Sequence, residues 1–564
     1  MKFTLLSVLY AASAIVKAQS PHVAESPQVK IGSTTLTGRL ATPGIPVDFF
    51  GGIPYAKPPL GELRLKPPVL LTTLNTETFD ATSYGAACLQ PPVSVTPGFP
   101  MPPVPISEDC LTINVLRPSG TPAGANLPVM FWTYGGGFDS GVSAMYEGTP
   151  IVAQSVARGT PVVYVGFNYR LGPLGFPQGQ EADTRKALNL GIKDHHAALQ
   201  WVQENIDAFG GDKTKVTVFG ESAGAMINAI SFLDPNFGKL ARAGIFESGS
   251  AATPLTFDSE RRQGAWEAFV GAVSGCESLA STDNTFGCLQ NASTEAIHQG
   301  LLTSLAEATE QLPFDPAIDG PGGVYPDFPS KLFAEGHFSK LPFIAGANQD
   351  EGTLFANNFT YTTELLETVL KANYSPPLVP AQMLDSSITR LLELYPDVPA
   401  LGSPFNTGNE TFGKIPGFKR AAALFTDLAF QSQRRSLSQT VSNAGVKTYA
   451  YLFTQPQPNF APSLGGKFSC KLSFSELGYV YGTTMNSTPS DLRLSLNMID
   501  YWVSFATSLD PNDGLGSPRP VWSQYTPDNQ VVLQLNGDNT TLIPDDYRKE
   551  GIDFINSMPL VWHH

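Results

Sequence analysis

The chain has 564 residues, of which 42% are hydrophobic and only 15% charged, and its formal net charge is −15. That length can bury a large core and allows roughly two to four domains. A mildly acidic, mostly neutral-polar surface excludes the basic footprint that a nucleic-acid partner requires.

In chain order, Lys2 is followed by an apolar run from Phe3 to Val16 that closes on Val16-Lys17-Ala18, with small residues at the spacing of a cleavage site. About 14 apolar residues are too few to span a bilayer, and the composition is that of a secretory signal peptide. Residues 1–18 are therefore expected to be a signal, and residues 19–564 a secreted, extracellular protein without a membrane span. The C-terminal Pro559-Leu560-Val561-Trp562-His563-His564 carries no hydrophobic anchor tail. Five cysteines in an exported chain suggest pairing, and two compact loops are on offer, Cys88 to Cys110 and Cys276 to Cys288, with Cys470 left over. Four cysteines permit three connectivities, so spacing alone leaves the pairing open. Sequons at Asn291, Asn358, Asn409, Asn486 and Asn539 fit glycosylation during secretion.

Seven prolines between Leu89 and Ile106 exclude a stable helix there. Beyond them, short apolar, β-branched runs alternate with stretches of helical period: Leu127 to Tyr134, Pro161 to Asn168, Lys215 to Phe219, Ala243 to Phe246, Leu341 to Gly346 and Lys447 to Phe453. The alternation predicts a mostly parallel sheet with crossover helices, an α/β fold. Asn189 to Ile206 and Ser495 to Ser508 space their large apolar residues as helices packed on sheet faces do. No linker separates two cores, so one domain with long insertions is expected.

Tyr134-Gly135-Gly136-Gly137-Phe138-Asp139-Ser140-Gly141 follows the first of these strands directly. Consecutive glycines can turn backbone N–H groups toward a ligand oxygen. Further on, the strand Val216 to Phe219 runs into Gly220-Glu221-Ser222-Ala223-Gly224 and then into helical sequence, which is G-x-S-x-G in its strand-turn-helix setting. The small neighbours let a serine sit at a strained turn above a helix N-terminus, where positive potential and free N–H groups collect. Together the two loops point to acyl transfer: Ser222 as nucleophile, and the glycine loop holding the alkoxide of a tetrahedral intermediate. One such donor is worth roughly 3 kcal/mol of barrier.

These residues make the chain resemble the type B carboxylesterase/lipase family, an α/β-hydrolase family that includes cholinesterases and fungal lipases. Both of its signature stretches are present, Phe209 to Gly224 and Glu108-Asp109-Cys110-Leu111-Thr112-Ile113-Asn114-Val115. Further matches are Phe50 to Pro59, Asn168-Tyr169-Arg170-Leu171-Gly172, and Tyr501-Trp502 with Asp510-Pro511-Asn512, so the resemblance covers nearly all of residues 19–564. It implies that Ser222 is the nucleophile, that Gly136, Gly137 and Ala223 give the oxyanion N–H groups, and that Glu351, in Gly346-Ala347-Asn348-Gln349-Asp350-Glu351-Gly352, is the acid member. A carboxylate just after an apolar strand also lies on the sheet edge where such folds place catalysis. The pairings Cys88–Cys110 and Cys276–Cys288 match the family's as well.

The family's histidine belongs in a segment that here reads Ser473-Phe474-Ser475-Glu476-Leu477-Gly478-Tyr479-Val480-Tyr481-Gly482, and Ser473 stands in its place. The remaining histidines, His22, His195, His196, His298, His337, His563 and His564, sit where structural or solvent roles are expected. A serine hydroxyl without a base is a poor nucleophile. Three accounts are open: a misplaced exon boundary in this segment, a catalytically silent esterase-like binding protein, or a non-hydrolytic acyl-transfer or cyclisation enzyme whose base comes from the substrate. The expected partner is a small-molecule or lipid ester, with soluble or short-to-medium acyl esters favoured over emulsified triglyceride. No metal-ligand cluster or nucleotide loop is present, so no cofactor is implied, and oligomeric state is not legible.

Overall fold

The computed structural model describes residues 26–92, 103–356, 359–456, 475–484 and 488–564. The segment 1–18, the middle of the proline-rich stretch, Asn358, Asn486, Cys470 and Ser473 lie outside the described residues.

The strands in chain order are β1 (Gln28–Ile31), β2 (Thr34–Thr37), β3 (Arg39–Leu40), β4 (Val47–Pro54), β5 (Thr78–Asp80), β6 (Thr112–Pro118), β7 (Leu127–Thr133), β8 (Val163–Phe167), β9 (Gly211–Glu221), β10 (Ala243–Glu247), β11 (Phe343–Asn348), β12 (Thr448–Phe453), β13 (Val531–Leu535) and β14 (Thr541–Pro544). β1, β2 and β5 form a small sheet, and the other eleven form one large sheet in the order β14-β13-β12-β11-β10-β9-β7-β8-β6-β4-β3. From β8 to β13 every pairing is parallel, whereas β3-β4, β4-β6, β6-β8 and β13-β14 are antiparallel. This is the α/β-hydrolase architecture, and all six strands expected from apolar runs are in its parallel part. Every residue of β8, β10, β11 and β12 is buried, because helices cover both faces of a parallel sheet. The helices Leu190–Asn205 and Pro489–Ser508 fall where helical spacing placed them, burying Trp201 and Trp502.

A second apolar cluster was not anticipated. Helices Thr363–Asn373, Ala381–Leu394, Phe418–Phe425 and Lys549–Asn556 close over Leu366, Leu370, Ile388, Leu391, Ala422 and Trp562. The helix Phe418–Phe425 passes through a π-helical stretch, Thr426–Gln431, into Ser432–Asn443. Cystines join Cys88 to Cys110 and Cys276 to Cys288. The described sequon asparagines, Asn291, Asn409 and Asn539, are exposed.

Arg170, in the Asn168-Tyr169-Arg170-Leu171-Gly172 motif, ties the loop after β8 to the helix Leu190–Asn205. Its guanidinium donates twice to Asp194, at 2.8 and 2.7 Å, while its backbone N–H donates to the same carboxylate at 3.0 Å. Both side chains are buried. Removing one partner leaves an uncompensated buried charge, so Arg170→Leu is expected to cost about 3–5 kcal/mol. Guanidinium unfolding at neutral pH checks this, and a loss below about 1 kcal/mol would contradict it.

Candidate active site

The site is built where three neighbouring strands end. Glu221, the last residue of β9, pairs with Glu247, the last of β10, and Glu247 pairs with Gly346 of β11. The chain then turns sharply at Ser222, whose φ of 52° and ψ of −126° belong to a conformation that L-residues avoid. The turn is held by the Ser222 N–H donating to the Glu247 carbonyl at 2.9 Å, and the helix Ala223–Ser231 starts at the next residue. Ser222 is 9% exposed in otherwise buried surroundings.

The glycine loop after β7 packs directly against this turn. A Cβ added to Gly135 would lie 2.7 Å from the Glu221 carbonyl oxygen, 2.8 Å from Glu221 Oε2 and 2.9 Å from Ser222 Cβ, so only glycine allows the approach. Gly136 and Gly137 follow with φ of 113° and 63°. Among the described residues, the N–H groups of Gly136, Gly137 and Ala223 donate none of the turn and loop backbone hydrogen bonds. The loop is pinned by Ser140 Oγ donating to the Gly136 carbonyl at 2.9 Å and by a paired contact at its end. There Gly141 N–H donates to Gln90 Oε1 at 2.8 Å and Gln90 Nε2 donates to the Gly141 carbonyl at 2.9 Å. Gln90 belongs to the loop closed by Cys88–Cys110, so that disulfide loop and the glycine loop are fastened together. Sequence reasoning did not reach Gln90, because one polar side chain in a proline-rich stretch carries no pattern.

Glu351 follows β11 in a turn, Glu351–Thr353, and is fully buried. Its Oε1 accepts from Ser248 Oγ at 2.6 Å, from Asn348 N–H at 2.7 Å and from Asn348 Nδ2 at 3.3 Å. Ser248 is the residue after β10 and has a φ of 56°. The π-helical stretch fastens this turn from behind, Gly352 N–H donating to Thr426 Oγ1 at 2.8 Å and Gln431 Nε2 to the Asn348 carbonyl at 2.8 Å. A π-turn projects side chains off the regular helical spacing, which explains its recurrence at functional sites and its invisibility in sequence.

The family model described as "Carboxylesterase family" matches residues 25–555. The chain belongs to the carboxylesterase family. It is similar to Lipase 2 of Geotrichum candidum, 35% identical over 545 residues, covering 90% of this chain and 91% of that one. It is likewise similar to a secreted triacylglycerol lipase, LIP1, of Gibberella zeae, 34% identical, with 90% and 87% covered. Among solved structures, Aspergillus niger EstA superposes with a TM-score of 0.80 at 26% identity, covering 96% of this chain and 99% of that one.

Against the pattern expected of a carboxylesterase, the described histidines are engaged elsewhere. His195 packs against Phe131, Phe167 and Phe237, and His196 bonds Ser231 Oγ at 3.0 Å. His298 meets the Gln90 carbonyl, His563 the Thr256 carbonyl, and His564 the Gln433 side chain. His337 is exposed. Burial holds His195 well below the ordinary imidazole value, His196 and His563 near 4, and His564 near 3, so all four stay neutral. Among the described residues, no group of histidine, cysteine and acidic side chains is arranged to hold a metal ion, and no helix is long and apolar enough to cross a membrane.

What does gather at the site is carboxyl groups. Glu476 places Oε2 at 2.6 Å from Asn348 Nδ2 and Oε1 at 3.2 Å from Ser248 Oγ, so the same two side chains bridge it to Glu351. Burial, reinforced by the Glu351 charge, pushes Glu476 up to about 8. Burial and the neighbouring carboxyls also raise Glu221 and Glu247 well above the usual range.

The folded protein therefore keeps a proton on Glu476 that the unfolded chain has released above its ordinary value near 4.5, and stability falls as pH rises toward about 8. Below about pH 6.5 the four neutral histidines act in the opposite sense, since only the unfolded chain takes up their protons. Between about pH 6.5 and 8 the unfolding free energy should therefore decline, and Glu476→Gln should flatten the decline by up to about 1.4 kcal/mol per pH unit. Denaturant melts of the two proteins at stepped pH measure this; identical slopes would refute it.

Proposed function

We propose that the protein is a secreted carboxylic ester hydrolase that works through an acyl-enzyme on Ser222. The observation that carries this reading is the apposition of the strained Ser222 turn to the glycine loop, with three uncommitted N–H groups beside it. Ser222 Oγ attacks the ester carbonyl, the N–H groups of Gly136, Gly137 and Ala223 take the developing oxyanion, the alcohol leaves, and water releases the acid. Glu351 is the acid member of the site, positioned by Ser248 and Asn348. Residues 19–564 act as one domain after loss of residues 1–18, and Asn291, Asn358, Asn409, Asn486 and Asn539 are the glycosylation acceptors. The secreted lipase of Gibberella zeae supports the extracellular assignment.

Ser473 at the histidine position favours a second reading, a silent binding protein on an esterase scaffold, and one experiment separates the two. The purified chain should hydrolyse a chromogenic butyrate ester and be labelled by an alkyl phosphonate at Ser222, with Ser222→Ala losing labelling and at least about 10³-fold in kcat. A folded protein that shows neither reaction is the binder.

For substrate we propose soluble or short-to-medium acyl esters. Gln90 clips the disulfide loop to the glycine loop, which opposes the large lid movement that interfacial lipolysis uses. The rate against tributyrin should rise smoothly through its solubility limit; a jump of about tenfold or more at the emulsion boundary would instead place the protein with triglyceride lipases.

A further inference from the structure

The site contains a carboxyl group with no structural employment. Glu221 is fully buried beside Ser222, and neither Oε1 nor Oε2 has a hydrogen-bond partner among the described residues. The other three glutamates are committed. Glu247 Oε1 accepts from Trp502 Nε1 at 2.9 Å, while Glu351 and Glu476 share Ser248 and Asn348. Buried polar groups are almost always satisfied, and an orphan in a catalytic cleft is a mark of chemistry.

Its position is equally specific. One point beside Gly135 lies 2.8 Å from Glu221 Oε2 and 2.9 Å from Ser222 Cβ, so these two atoms are less than twice 2.9 Å apart. Oγ lies one bond beyond that Cβ, and catalytic hydrogen bonds of this kind tighten when substrate binds. The described histidines offer no competitor, because His195, His196, His298, His563 and His564 are engaged by Phe131, Ser231, Gln90, Thr256 and Gln433 respectively, and His337 is exposed.

Resting on the serine reading above, we propose that Glu221 is the proton acceptor for Ser222. As Oγ bonds to the ester carbon, its proton passes to the Glu221 carboxylate. The protonated Glu221 then gives that proton to the departing alkoxide, which leaves as alcohol while the acyl group stays on Oγ. In the second half Glu221 takes a proton from the attacking water, the acyl–Oγ bond breaks, and the proton returns to Oγ as the acid leaves.

The groups acting on Glu221 are Glu476, Glu351 and Glu247, and it acts in turn on the phenols of Tyr146, Tyr169 and Tyr451; no cation is among them. Burial and these like charges hold its carboxyl well above the usual range, so the reactive carboxylate is populated only as pH rises. The kcat of the full-length protein on a chromogenic butyrate ester should accordingly climb about tenfold per pH unit toward an alkaline plateau. Glu221→Gln should lower kcat by at least about 100-fold with KM within about threefold, and its pH profile should be flat. Formate added to Glu221→Ala should restore at least about tenfold, which a structural role would not allow.

A flat wild-type profile between about pH 6 and 9, or a Glu221→Gln kcat within about threefold of wild type, overturns the assignment. The wild-type profile decides the matter even where the variants do not fold. Ser222→Ala that keeps wild-type activity, or a wild-type protein without hydrolysis or labelling, defeats the serine reading itself and Glu221 with it.

Discussion

The site depends on a packing constraint: a glycine loop, a strained serine turn and two strand ends must meet with almost no side-chain volume between them. Gly135 sits against Glu221 and Ser222 where a single added carbon would collide with both. The parallel register of β9, β10 and β11 brings Glu221, Glu247 and Gly346 level, and this in turn sets Ser222, Ser248 and Glu351 side by side beyond the strand ends. The cost of that closeness is electrostatic, since four glutamates share one buried region and the groups acting on Glu221 and Glu247 include no cation. Raised proton affinity is the physical response: a buried carboxyl that cannot find a cation keeps its proton.

Much of this frame was legible in the sequence because the interactions that build it have a period. Strands buried on both faces must be continuous apolar runs, and Leu127 to Tyr134 or Lys447 to Phe453 show themselves as such. The turn at Ser222 is equally visible, since small residues at fixed offsets are the only solution to its sterics. The cluster around Leu366, Ile388 and Trp562 was missed because its helices are short and far apart in the chain, and only tertiary packing pairs them. The flanking strands β3, β4, β6, β13 and β14 were missed too; of these β3 and β14 are short, half-polar strands at the two edges of the sheet.

The polar framework of the site was the least legible. Ser248, Gln90, Thr426 and Gln431 each hold a functional loop through one or two hydrogen bonds, and no spacing rule announces a residue used once. Glu476 stood in a recognised segment, yet its meaning came only from the geometry that links it to Glu351 through Ser248 and Asn348. Glu221 was visible throughout as the variable position of G-x-S-x-G. Only its two unpartnered oxygens separate it from a spacer.

The proton acceptor outweighs the other parts of such a site in magnitude. In a comparable serine triad, an oxyanion hole and substrate binding leave roughly 10³ to 10⁴ over water when a triad member is absent, while loss of the base costs about a millionfold. An oxyanion hole alone would thus make a slow enzyme of an intact scaffold. A carboxylate base closes part of that gap, because a desolvated carboxyl with a raised proton affinity approaches imidazole in basicity. The crowding of Glu247, Glu351 and Glu476 around Glu221 then has a direction: each of these carboxyls adds to the rise in its proton affinity that burial begins.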